Sequence, residues 1–299
     1  MLLLTVVYDN SKEDIIEQFN EMKKYFHDRN IIVGFSESID NNTHFLKIFC
    51  DDNALNERLI NIFNLYMANI LYNVVVDEFY KKDMQSFLTD TYFFLKYDEI
   101  KDIKELSVEA LKSEGEILNE YMVYFRNRKN SMTQKIIECL EDNKEINIKG
   151  FITFRMKELK EDLESIIDKV VESYMVDKEY NEFIKLLKYF VEIQDSKIEK
   201  VNIIIKADGT YVVQDGTGKD IMEVLFSELS EAKYSGTVNM DDLLISGLIT
   251  SAPSTLAIHG EENCINKEII ETIKKVFGDR VVFCRSCDMC EKVKAGVKI

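Results

Sequence analysis

Three cysteines stand at C-x-x-C-x-x-C spacing in the segment RVVFCRSCDMC: Cys284, Cys287 and Cys290. His259 closes an earlier apolar run, STLAIH, and Cys264 follows it in GEENC. Thiolates and imidazole are ligands for a borderline-soft ion. Tetrahedral zinc takes four of them at about 2.0–2.3 Å, as three cysteines with one histidine or as four cysteines. His259, Cys264, Cys284, Cys287 and Cys290 are therefore the candidate metal ligands. An iron-sulfur cluster is the rival, because the spacing matches the start of a ferredoxin run. The fourth cysteine and the proline that should follow are replaced by Glu291, Lys292 and Val293, although Cys264 could substitute. Thiol redox chemistry at a C-x-x-C comes third, with too little chain after Cys290 for a full helix to lower a thiolate pKa. Unligated cysteines are the plain alternative.

Positioning these residues needs a particular topology. STLAIH and RVVFC read as strands, and Lys267 to Phe277 between them reads as a helix closed by Gly278. A helical crossover returns the chain in the same direction, so two such strands side by side are parallel. Their last residues, His259 and Cys284, then finish at one sheet edge on strands about 4.8 Å apart, within reach of one ion. The GEENC loop returns Cys264 to that edge.

The remaining chain divides by its periodicity. Residues 2–8 (LLLTVVY) read as a strand, Ser11 as the cap of an amphipathic helix, and IIVGFSES and THFLKIFC as two strands about Asp40-Asn41-Asn42. His27 and His44 lie in this part without a carboxylate or cysteine at ligand spacing, and read as surface or satisfied histidines. From about Asn53 the period is helical. The uncharged run from Leu59 to Val76 reads as a core helix whose four asparagines (61, 64, 69, 73) make one wet face, and not as a membrane span. Aromatics from Phe79 to Phe125, including Phe93, Phe94 and Tyr97, read as helix packing. Arg126, Arg128 and Lys129 form a compact basic cluster, read as a solvated helix end or, more sharply, as a dock for an acidic partner or phosphate.

Ile152, Met156, Leu159, Leu163, Ile166, Val170 and Tyr174 form one apolar stripe, opposite an acidic face read as solvated. Arg155, among apolar neighbours, reads as half of an internal ion pair. The pattern breaks near Val176-Asp177, as at a corner between two helices or a kink, and resumes at Tyr180. VNIIIK and TYVVQD about Asp208-Gly209 predict a hairpin. Two helices follow, IMEVLFSELSE and MDDLLISGLITSA, and DGTGKD at 215–220 reads as a hairpin exit loop because it lacks true phosphate-loop spacing. The fold class expected is α+β: a small N-terminal β-α-β-β unit (1–52), a long helical region (53–198), and a small C-terminal α/β domain with a hairpin and a β-α-β unit (199–299).

Composition narrows the partners. With 38 Lys+Arg against 54 Asp+Glu the formal net charge is -16, which repels nucleic acid and anionic membranes at long range. The opening MLLLTVVYD reads as a buried strand and not as a leader. Six cysteines, half of them in one short run, fit a reducing compartment, the cytoplasm, with metal or redox use. The segment from GFITFRMKELKEDLES through LKYFVEIQ, the hairpin VNIIIKADGTYVVQD, MDDLLISGLITSAPSTLAIHG and the cysteine tail together resemble the YtxC-like proteins of endospore-forming bacteria. The resemblance covers the second half strongly and the first half in outline. It implies a cytoplasmic protein of a spore former, linked to sporulation, and brings no catalytic residues to transfer. The expected function is that of a sporulation-associated interaction protein with a protein partner, without a defined activity and with a structural metal site in its tail. A metal- or thiol-dependent enzyme or redox sensor at the 259/264/284/287/290 edge is the alternative.

Overall fold

A computed structural model of the 299-residue chain describes residues 1–9, 15–112, 121–227 and 239–294. It is an α+β protein in two compact units, Met1–Met175 and Val176–Ile299. Ser11, read as a helix cap, and the end of the IMEVLFSELSE helix lie outside the described residues.

The first unit holds β1 (Leu2–Asp9), α1 (Ile15–His27), β2 (Val33–Asp40) and β3 (Thr43–Cys50). Beyond them come α2 (Glu57–Lys82), α3 (Met84–Thr91), α4 (Tyr97–Lys112), α5 (Met122–Asp142), β4 (Glu145–Asn147) and the start of α6 (Ile148–Ile193). The sheet order is β2-β3-β1-β4, with β4 parallel to β1 and the other pairs antiparallel. One apolar cluster runs from the sheet (Leu4, Val6, Ile48) through α1 and α2 to Leu163 and Ile166 of α6. α2 begins where Asn56 accepts from the Leu59 amide, and it packs on α1, α4 and α5. Among the described residues it is the one helix long and apolar enough by length and composition to cross a membrane, and its apolar window is 61% buried in protein. Its asparagines do not form one wet face: Asn61 is exposed, but Asn64 is buried and Asn73 donates to Gln18 Oε1 (3.1 Å).

Several local expectations are corrected. Phe93 and Phe94, in the connection between α3 and α4, and Tyr97, the first residue of α4, are exposed rather than packed on a helix face; Phe94 meets the rings of Phe93 and Tyr92 edge-on. The basic cluster lies in the first half of α5 rather than at a C-terminal end, and much of it is engaged. Arg128 pairs with Asp162 (2.8 Å), and Lys129 Nζ donates to the Lys112 carbonyl (3.0 Å). Asp162 is accordingly buried and also holds Lys135 (2.7 Å), so the acidic face of α6 is only partly solvated. Arg155 does pair, with Glu158 at 2.5 Å, but at the surface. His44 is a satisfied histidine: its Nδ1 lies 2.7 Å from Glu37 Oε1 across the β2–β3 hairpin, and its ring stacks on Tyr8.

α6 has no corner at Val176-Asp177; it is one helix of 46 residues. The interruption marks a change of core. Leu159 to Val171 belong to the first unit's cluster, whereas Ile184, Leu187 and Val191 belong to the second's.

The second unit adds β5 (Lys200–Ile205), β6 (Tyr211–Asp215), α7 (Met222–Ser227), α8 (Met240–Ser251), β7 (Thr255–His259), α9 (Lys267–Phe277), β8 (Val281–Cys284) and α10 (Asp288–Lys294). The hairpin turns at Gly209, whose φ of 80° suits glycine. Sheet order is β6-β5-β7-β8, with β5, β7 and β8 parallel. α9 buries Ile269, Ile270, Ile273, Val276 and Phe277 on one face and is capped by Asn266, which accepts from the Glu268 amide.

Candidate metal centre

The β7-α9-β8 crossover does what the strand reading required. β7 and β8 are parallel neighbours in a register that sets His259 opposite Cys284. The backbone bends after Cys284, and that bend, with α10 behind it, brings Cys287 and Cys290 back over the same sheet edge. The ligand atoms of His259, Cys284, Cys287 and Cys290 all lie within 4.8 Å of one another. His259 Nδ1 is 3.4 Å from both the Cys287 and the Cys290 sulfur, and those two sulfurs are 3.7 Å apart. All six cysteines of the chain are free.

Cys264 is not drawn into this group. Its thiol donates to the Asn266 carbonyl (3.1 Å) and lies 3.8 Å from the Tyr211 hydroxyl. That hydroxyl donates to Asp241 (2.8 Å), as does Asn266 Nδ2 (2.8 Å), so Cys264 sits in a polar latch between α8 and the start of α9. The GEENC loop returns the chain to the edge, but a short 3₁₀ turn at Glu261–Asn263 sends Cys264 inward, where it is buried.

The electrostatics follow from burial. His259 is 5% exposed, and burial, assisted by the charge of Lys200, holds its pKa below the usual 6.5, which keeps the ring neutral. Asn202 of β5 stands behind it, with Oδ1 3.5 Å from Nε2. That acceptor places the ring proton on Nε2 and leaves the Nδ1 lone pair toward the sulfurs. Burial pushes the Cys287 thiol up, but the Cys290 amide and the Cys284 and Cys290 thiols more than offset this, and its pKa ends below the ordinary value. Burial and then the Cys287 thiol push Cys290 up to about 11.

The donor set fits a single ion. Tetrahedral zinc, with Zn–S about 2.3 Å and Zn–N about 2.0–2.1 Å, separates two sulfurs by roughly 3.8 Å and sulfur from nitrogen by roughly 3.5 Å. The His259–sulfur and Cys287–Cys290 separations, 3.4 and 3.7 Å, match those edges, and Cys284 lies within 4.8 Å of the other three ligand atoms.

α10 and Asn202 were missed by sequence reading. Seven residues are too few to show a helical period, and Asn202 is one polar residue in an apolar strand; its break in the run VNIII was the available signal. DGTGKD is the exit loop expected. Its amides are already taken, since Asp215 Oδ1 accepts from Thr217 N (2.8 Å) and Lys219 N (3.1 Å).

Fold and site thus define an α+β protein with a histidine-cysteine centre, able to hold a metal ion, at the edge of its C-terminal sheet. The profile of the YtxC-like family matches residues 65–282, more than half of the chain, and the chain belongs to that family. The uncharacterized protein YtxC of Bacillus subtilis (strain 168) is 25% identical over 229 residues, covering 72% of this chain and 75% of its own length. No solved structure matches. The family match includes His259 and stops just before Cys284, so the case for the centre rests on its geometry.

Proposed function

We propose that this is a cytoplasmic, non-enzymatic interaction protein of an endospore-forming bacterium, linked to sporulation, whose C-terminal unit is stapled by zinc on His259, Cys284, Cys287 and Cys290. The observation that carries the zinc reading is the mutual approach of four ligand atoms to within 4.8 Å. Such a set fills the tetrahedron with protein ligands and leaves no position for substrate, the arrangement of a structural rather than a catalytic zinc. The ligands come from β7 (His259), the end of β8 (Cys284), the bend before α10 (Cys287) and α10 (Cys290), so the ion ties a short C-terminal helix to the sheet edge. Resemblance to proteins of endospore formers supports the biological setting, and free cysteines fit the reducing compartment.

Cobalt substitution tests the reading. Co(II) added to metal-free protein should give the intense visible bands of a tetrahedral thiolate site, unchanged by added thiocyanate. Bands that shift with thiocyanate reveal an open position and favour the enzyme alternative. The redox-sensor alternative requires a Cys287–Cys290 disulfide that forms across the cytosolic potential range while the metal leaves; unchanged thiol counts sink it.

A further inference from the structure

The part of α6 in the second unit is apolar over far more of its surface than its own core covers. Ile184, Leu187 and Val191 pack into that core. Val176, Phe183, Leu186, Phe190 and Ile193 do not, and remain 48–60% exposed, flanked by the exposed Tyr180 and Tyr189. At about 100° per residue the apolar arc spans roughly 200°, broken by Glu179 and Glu182, with Asp177, Lys178, Asn181, Lys185, Lys188 and Glu192 on the remainder. A surface helix needs one apolar face, and a helix apolar this far round is ordinarily covered on two sides.

The uncovered side has a coiled-coil period. Val176, Phe183 and Phe190 recur every seven residues, and Glu179, Leu186 and Ile193 form the second row of the seam. We propose that this face pairs with the same face of a second copy of the chain, antiparallel, about a two-fold axis between Ile184 and Lys185. This deepens the interaction reading above by naming the partner, and it does not depend on the metal centre.

Three observations select a second copy in that orientation. The two rows close on themselves: Phe183 meets Leu186 of the second copy, Val176 meets Ile193, and Glu179 meets Phe190, each pair occurring twice, as an isologous interface requires. A parallel pair would instead set Glu179 directly against its own copy inside the seam, at the cost of a buried like-charge contact. Charge permits the approach, because residues 176–193 carry four acids and three lysines in a chain of net charge -16. Area is sufficient: the six half-exposed side chains other than Tyr180, at roughly 100 Å² each, offer roughly 600 Å² per copy, the lower end of the standard interface range of about 1,200 Å² in total.

Sedimentation velocity on the full chain at about 0.1–100 μM tests this, with zinc content and far-UV circular dichroism measured on every sample. The expected result is a reversible dimer of a 34.9 kDa chain, strengthened by salt, because apolar contact drives it and net charge opposes it. Phe183→Asp should weaken dimerisation at least ~100-fold with the fold intact, as expected for a central anchor. Lys188→Asp, off the seam, should leave it unchanged, and Glu179→Leu should tighten it. A monomer at every concentration overturns the proposal, as does a dimer indifferent to both Phe183→Asp and Glu179→Leu. Either outcome leaves the zinc reading intact if the metal content is unchanged.

Discussion

Replacing Asn202 by alanine probes the centre through a residue that is not itself a ligand. Asn202 is buried, donates through Nδ2 to the Asp215 carbonyl (3.0 Å), and presents Oδ1 to His259 Nε2. Partners of this kind fix the tautomer and orientation of a ligating imidazole, and their loss costs about 10–100-fold in metal affinity. The 3.5 Å separation is at the long end of hydrogen-bond reach, which points to the lower end of that range, about tenfold or ~1.4 kcal/mol. The same substitution leaves the Asp215 carbonyl without this donor and costs about 1 kcal/mol of folding stability, so affinity and stability must be read separately. Competition against a chromophoric chelator on protein held folded, with thermal unfolding alongside, gives both. Asn202→Asp separates orientation from packing, since it keeps the acceptor toward Nε2 and loses the donor to Asp215. Zinc affinity at or above wild type in Asn202→Asp, with about tenfold loss in Asn202→Ala, is expected. Wild-type affinity in Asn202→Ala would refute the reasoning, and equal loss in both variants would reduce Asn202 to a packing residue.

Other outcomes follow from the same geometry. Cys264→Ser should leave metal stoichiometry unchanged, because its thiol faces Asn266 and Tyr211 rather than the ion; loss of metal by elemental analysis would return it to the ligand set. Zinc affinity should rise with pH between 7 and 9, by about tenfold per unit for each proton displaced, because Cys290, held up to about 11, must lose its proton to bind. His259, already neutral above 6.5 because its folded-state pKa is lowered, contributes no proton in that window, and calorimetry in buffers of different ionisation enthalpy counts the release. Tyr72→Phe in the first unit should cost about 1 kcal/mol by chemical denaturation, since the Tyr72 hydroxyl donates to the buried Leu111 carbonyl (2.9 Å).

Much of this architecture is legible in the residues because its signals are local and redundant. Gly209 and Gly278 mark a hairpin turn and a helix end, and the apolar face of α9 repeats at helical period between two apolar runs. The crossover rule then suffices to set His259 beside Cys284. What was hidden depends on contacts distant in sequence or on elements too short to have a period. β4, three residues long, pairs with β1 across most of the first unit, and Asp162 is buried only because Arg128 and Lys135 reach it from α5. Cys264 shows the limit within the site. Its sequence position suits the edge, but a single 3₁₀ turn decides which way its thiol points.

The central claim is that His259, Cys284, Cys287 and Cys290 hold one metal ion. Elemental analysis of protein purified without a metal-affinity tag under reducing conditions, beside a Cys284→Ser/Cys287→Ser variant, tests it most directly. About one zinc per chain is expected in the native protein and none in the variant. Native protein free of zinc and iron, or a variant that keeps its full metal content, would contradict it.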